Sequence, residues 1–315
     1  MNINDIKRVA IIGAGVMGHG ISQSYAQAGY EVSMMSRTQK TLDRSLKLMK
    51  SSLATLAEYG TIRESDIQAI LDRVHPTTDL AEAVKDVQFV TEVVAEVPDV
   101  KHQIILQLDQ YCPEDAIISS STSGLDVFSI VADEMKMPER LVMAHWYAPP
   151  HIIPLVEVAP GPKTSSETKN LTAEILEKIG KVPVVMKKFA PGFVVNKIQH
   201  GFAPAMFSLI ASDVVEIGEI DRAMKYVFGI RLPIVGIVQS MDFNGLDTVH
   251  NICKAAKFDV PLISQKVAEG HLGAATGKGV YDYQGRSEEE ILKKRDMLYL
   301  KMFDFLKSIN AFEPV

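Results

Sequence analysis

At 315 residues the chain is long enough for two domains that each bury a core. Its 33 basic and 39 acidic residues leave a net charge of -6, which argues against a broad nucleic-acid footprint. No uncharged apolar run approaches the roughly 20 residues of a membrane span. The two cysteines, Cys112 and Cys253, form no CxxC pair, so a disulfide scaffold and a cysteine zinc site are both unexpected and a reducing, cytoplasmic setting fits.

Met1 to Arg8 shows no basic stretch followed by an apolar one, and Val9-Ala10-Ile11-Ile12 reads as a folded strand, not a leader. From there to about residue 187, β-branched runs alternate with helical stretches. The expected strands are Arg8–Ile12, Glu31–Met35, Phe89–Glu92, Ala116–Ser119, Leu141–Ala144, Leu155–Val158 and Val182–Met186. Leu42–Tyr59 and Lys101–Tyr111 carry apolar residues at helical spacing between them. This alternation predicts an α/β fold, a Rossmann-type doubly wound parallel sheet. Ala190-Pro191-Gly192 breaks the pattern, and Leu262–Ala268 and Glu288–Phe305 lie in what reads as helix thereafter. The division therefore falls near residue 188: a nucleotide-binding domain over 1–187 and an all-α domain over 188–315. The acidic run Glu288-Glu289-Glu290 reads as a solvated helix start that complements the helix dipole.

Gly13-Ala14-Gly15-Val16-Met17-Gly18 is a GxGxxG pattern, and it stands between an apolar strand and a helical stretch that closes at Gly29. That context makes it a dinucleotide-binding turn. Gly13 allows the tight turn, Gly15 lets backbone approach a pyrophosphate and Gly18 lets helix and strand pack closely. Val16 and Met17 complete the turn, and the helix start supplies free N–H groups. The next strand ends Met34-Met35-Ser36-Arg37, where an NAD enzyme usually carries an acid for the ribose hydroxyl. Ser36 and Arg37 suit a 2′-phosphate instead, so NADP is expected ahead of NAD. Arg37 stacking on adenine in an NAD enzyme is the alternative.

His145 follows the strand Leu141–Ala144, and Glu157 interrupts the apolar run Leu155-Val156-Glu157-Val158. A carboxylate there is costly to bury without a partner. If the two strands are neighbours, Glu157 accepts the Nδ1 proton of His145 and leaves Nε2 as a general base. Pairing of Glu157 with some unrelated Arg is the bland alternative. The eight histidines include no HxH or HExxH, so no metal is expected.

Five stretches, in order, resemble the 3-hydroxyacyl-CoA dehydrogenase family: Gly13 to Gly20, Ser121-Thr122-Ser123, His145 to Val158, Pro191 to Asn196, and Thr276 to Tyr283. The resemblance spans nearly the whole chain. It implies a nucleotide-binding domain followed by a helical domain that dimerises and closes over the active site. It also implies His145 as the base, Glu157 as its orienting carboxylate, Ser123 and Asn196 as donors to the substrate oxygen, and Glu96 and Lys101 beside the nicotinamide half. The implied partners are a small-molecule substrate and a second copy of the chain, with no nucleic acid and no membrane.

Three departures matter. Ala148 replaces the Asn of the family's His-Phe-Phe-Asn-Pro pattern, so the amide that braces the loop is missing. Ser36 stands where the cofactor acid is usual. Lys47 and Lys50 remain in the hairpin after the second strand, but Ser51 through Gly60 has no basic residue, which weakens attraction for a polyanionic CoA. Pro149 to Pro154 and Gly229-Ile230-Arg231 resemble the subgroup that acts on free hydroxy acids such as gulonate or carnitine, whereas Thr276 to Tyr283 fits the acyl-CoA pattern. A nucleotide-binding relative without turnover is the reading from another class, and the retention of Ser123, His145, Glu157 and Asn196 argues against it.

Overall fold

A computed structural model describes residues 1–131 and 133–314. The elements run β1 (Arg8–Ile12), α1 (Gly18–Gln27), β2 (Glu31–Met35), α2 (Gln39–Glu58), α3 (Asp66–Asp72), β3 (Val74–Thr77), α4 (Leu80–Val84), β4 (Phe89–Glu92), α5 (Pro98–Tyr111), β5 (Ile117–Ser120) and α6 (Val127–Val131). They continue with β6 (Leu141–Trp146), β7 (Leu155–Pro160), α7 (Ser166–Lys178) and β8 (Val182–Val185), all in one sheet ordered β3-β2-β1-β4-β5-β6-β7-β8. Seven strands were legible, some to within a residue or two at their ends. β3, Val-His-Pro-Thr, was not, because it is an edge strand with one buried residue and a proline, so it has no apolar periodicity to read.

The central strands are buried on both faces. Val9 and Ile11 pack with α1, α2 and α7, while Ala10 and Ile12 pack with α4, α5 and α6. The alternation places helices on both faces, as near-continuous apolar strands require. β6 and β7 alone pair antiparallel. Their link, Tyr147–Pro154, is too short for the crossover of about a dozen residues that a parallel neighbour needs.

By compactness the chain divides into Met1–Gly201 and the remainder from Phe202. The cut falls inside α8 (Val195–Ala211), whose first residues are hydrogen-bonded to the sheet. The second unit contains α9 (Ile217–Arg231), α10 (Gln239–Asn244), α11 (Leu246–Ala255), α12 (Pro261–Ala268) and α13 (Glu288–Ser308). α13 opens with a capping box between Ser287 and Glu290, and its acidic first turn faces the positive helix end as expected. The stretch Thr276 to Tyr283 wraps buried Asp242, which accepts from the N–H groups of Val280 (2.8 Å) and Tyr281 (3.0 Å) and from the Tyr283 hydroxyl (3.1 Å). A Cβ on Gly279 would fall 2.3 Å from the Asp242 carboxylate, so that motif serves packing in this unit. No helix among the described residues is long and apolar enough to cross a membrane.

Candidate active site

Strand order reverses between β1 and β4, and open α/β sheets bind ligands in the crevice beyond the strand ends at such a switch point. The GxGxxG turn lies there. Gly13 has φ +114° and its N–H donates to the Met35 carbonyl at 2.9 Å. A Cβ on Gly18 would stand 1.8 Å from the Gly13 carbonyl oxygen, so only glycine lets α1 start this close to β1. A Cβ on Gly15 would meet nothing within 4 Å, and Val16 is 75% exposed. No side chain caps α1, and its first turn holds no acid. The bare Gly15 and the uncapped N–H groups fit a dinucleotide pyrophosphate.

At the end of β2, Ser36 is half-buried and Arg37 exposed, and Arg37 forms no ion pair among the described residues. Beside β4 the arrangement is tighter. Glu92 and Lys101 are both fully buried and 2.8 Å apart, and Ser120 donates to the other Glu92 oxygen at 2.5 Å. Lys101 also lies 3.4 Å from Glu96. Glu96 accepts from the Thr122 hydroxyl (2.6 Å) and from the N–H groups of Ser123 (2.9 Å) and Gly124 (3.2 Å), so it shapes the turn that carries Ser123. Burial pushes its pKa up, but those bonds and Lys101 outweigh burial and hold it below the ordinary carboxylate value.

Serines crowd this turn, and the structure separates them. Ser119 donates to the Val90 carbonyl, Ser120 to Glu92, and Ser121 accepts the Trp146 N–H. Ser123 is exposed and its hydroxyl has no partner among the described residues. The Asn196 amide reaches the Ser123 carbonyl at 3.5 Å, so these two residues adjoin.

His145 and Glu157 are directly opposed across β6 and β7, a register that puts both side chains on one face. His145 Nδ1 lies 3.0 Å from Glu157 Oε2, and both residues are buried. Glu157 Oε1 accepts from the N–H groups of Val194 (2.9 Å) and Val195 (3.0 Å), where α8 begins. The carboxylate is thus paired on both oxygens, which satisfies the condition for burying it. Burial alone would raise its pKa; the bonds from His145, Tyr147, Val195 and Val194 outweigh burial and leave it lowered. With a carboxylate on Nδ1, Nε2 is the imidazole nitrogen left for a substrate.

Three further residues could not be read from the sequence. Tyr147 donates to Glu157 Oε2 at 2.7 Å and sets its ring edge-on to His145, centroids 4.6 Å apart. Phe193 stacks on His145 at 4.6 Å and 18° while adopting φ +51°, a left-handed conformation that a bulky side chain seldom takes. Strain of this kind collects at functional sites and is held there by the surrounding packing. Glu92, the buried partner of Lys101, is the third. Only the partners they meet in the fold distinguish these from ordinary core and loop positions.

The link Tyr147–Pro154 folds onto α1. A Cβ on Gly20 would meet the Pro150 ring at 2.8 Å and His151 at 3.0 Å, which explains the glycine two residues after the turn.

Comparison with known proteins shows the family. The family model for the 3-hydroxyacyl-CoA dehydrogenase NAD binding domain matches residues 8–189, and that for the C-terminal domain matches 192–283. A 3-hydroxybutyryl-CoA dehydrogenase of Clostridioides difficile is 34% identical, over 88% of this chain and 99% of its own. A 5-formyl-3-hydroxy-2-methylpyridine 4-carboxylate 5-dehydrogenase of Mesorhizobium japonicum is 28% identical, over 92% and 95% respectively. A solved 3-hydroxyacyl-CoA dehydrogenase of Archaeoglobus fulgidus superposes with a TM-score of 0.79 at 26% identity, covering 96% of this chain and 99% of that one. A βαβ turn built for a dinucleotide, a buried imidazole–carboxylate pair at the strand ends and two matching domain models lead to one conclusion: the chain belongs to the 3-hydroxyacyl-CoA dehydrogenase family of oxidoreductases acting on CH–OH groups with a nicotinamide cofactor.

Proposed function

We propose that the protein interconverts the hydroxyl and keto forms at C3 of a 3-hydroxyacyl-CoA, with NADP favoured over NAD. The observation that carries this is the buried His145–Glu157 pair, held 3.0 Å apart in the sheet that also carries the glycine turn. When bound, the nicotinamide takes or gives the C3 hydride. His145 Nε2 takes the hydroxyl proton in oxidation and returns it in reduction, and Glu157 keeps Nδ1 protonated. Ser123 and Asn196 donate to the substrate oxygen as negative charge develops on it. Glu96 and Lys101 border the nicotinamide half, Lys101 through its hold on Glu96.

The NADP preference is supported by Ser36 and exposed Arg37 at the end of β2. Titrating intrinsic fluorescence with NADPH and NADH tests it. NADPH is expected to bind at least about tenfold tighter, and Arg37→Ala to remove most of that margin; one charge-assisted contact is worth about 1.5–3 kcal/mol. Equal affinity for both cofactors rejects the preference.

The second reading is a free hydroxy acid. The M. japonicum relative, whose name carries no CoA, favours it, as does the absence of basic residues from Ser51 to Gly60. Oxidation of the reduced cofactor by acetoacetyl-CoA supports the first reading. Oxidation by free 3-keto acids alone supports the second.

We further infer a homodimer formed by the helical domain, taken as 188–315, and a cytoplasmic location consistent with free Cys112 and Cys253. α8 is apolar and α9 amphipathic, yet neither has a buried residue, and Phe207 is 61% and Ile217 66% exposed. Large apolar side chains left exposed in such number suit an interaction surface. Light scattering should give twice the 34.7 kDa chain mass, and a monomer at micromolar concentration removes the inference.

A further inference from the structure

Position 147 carries Tyr where the family pattern has Phe, and the next position has lost its bracing Asn. The hydroxyl gained at 147 is not idle. It donates to Glu157 Oε2 at 2.7 Å, the same oxygen that faces His145 Nδ1 at 3.0 Å, and it lies beside the Asn196 backbone N–H. We propose that Tyr147 is a positioning residue of the base: its hydroxyl shares one carboxylate oxygen with the imidazole, fixes that oxygen, and moderates its pull on the His145 proton.

The groups around the pair are few. Glu157 faces His145 on β6, Tyr147 at the start of the following link, Val184 in register on β8, and the N–H groups of Val194 and Val195 at the start of α8. Among the described residues it has no Lys or Arg ion pair. His145 is covered by the Tyr147 edge and the Phe193 face. Each donor that leaves Glu157 therefore makes the remaining carboxylate charge more available to His145. Burial and the adjacent carboxylate both raise the Tyr147 pKa, so its hydroxyl remains a donor across the working pH range.

The inference rests on His145 acting as the base, and its test does not require turnover. The cofactor-free protein is titrated by NMR of its imidazole signals, with His145 assigned by its disappearance in His145→Ala. Tyr147→Phe removes only the hydroxyl and restores the family's ring, so the fold is retained, which thermal melting checks. The carboxylate then holds the imidazolium more strongly, and the His145 midpoint should rise by a few tenths to about one pH unit. Glu157→Gln, which removes the charge, should move the midpoint down. An unchanged or lowered midpoint in Tyr147→Phe, or one insensitive to Glu157→Gln, overturns the proposal. Turnover retained in His145→Ala would instead dismiss the base while leaving the titration of the pair readable.

Discussion

Replacing His145 with Ala should lower turnover by about 10²- to 10⁴-fold in either direction while leaving dinucleotide affinity nearly unchanged. The magnitude follows from what the imidazole is placed to do. An alcohol is far too weak an acid to release its proton to water as the hydride leaves, so the proton needs an acceptor within hydrogen-bond reach. On the proposed function His145 is that acceptor, and it is held by Glu157 on Nδ1, Tyr147 at its edge and Phe193 on its face. The proposed pyrophosphate site uses other residues, Gly13, Gly15, Gly18 and the uncapped α1 N–H groups. The loss should therefore fall on kcat and not on cofactor binding. Steady-state rates together with a fluorescence titration check both halves. Near-normal turnover would remove His145 from the mechanism, and a parallel loss of cofactor affinity would mean that its role is structural.

The parts of this site that were legible in the sequence are those with local signatures. A strand, three spaced glycines and a helix form one continuous segment, so the turn at Gly13 could be read from order alone. His145 and Glu157 were legible as a conditional: a carboxylate inside an apolar strand demands a partner, but only the antiparallel pairing of β6 with β7 shows which partner it has. Ser123 was singled out by the family resemblance alone; what sets it apart physically from Ser119, Ser120 and Ser121 is that contacts in the fold occupy the other hydroxyls. Phe193 and Tyr147 looked like ordinary apolar and loop residues: the imidazole that Phe193 stacks on is 48 residues away, and the role of Tyr147 depends on the Glu157 oxygen that its hydroxyl meets only in the fold. β3 escaped because an exposed edge strand needs no apolar pattern.

The buried ion pair beneath the Ser123 turn gives the largest expected effect on stability. Lys101 and Glu92 are fully buried 2.8 Å apart, and Val94 N–H also donates to the Glu92 oxygen at 2.8 Å. Lys101→Met keeps the aliphatic length but leaves the Glu92 carboxylate without its counter-charge in a medium that solvates it poorly. Removing one partner of a buried pair costs about 3–5 kcal/mol. The double replacement, Lys101→Met with Glu92→Gln, should cost clearly less than Lys101→Met alone, because no uncompensated charge remains. Urea midpoints of the two single variants, the double variant and the natural protein form the cycle. The functional consequence has the same origin: Lys101 lies 3.4 Å from Glu96, whose oxygen gathers the N–H groups of Ser123 and Gly124. Losing the ammonium loosens the carboxylate that shapes the turn, so substrate handling should suffer in Lys101→Met even at temperatures where it stays folded. A loss below about 1 kcal/mol, the range of an exposed pair, would show that water reaches Glu92 and that the pair does not hold this turn.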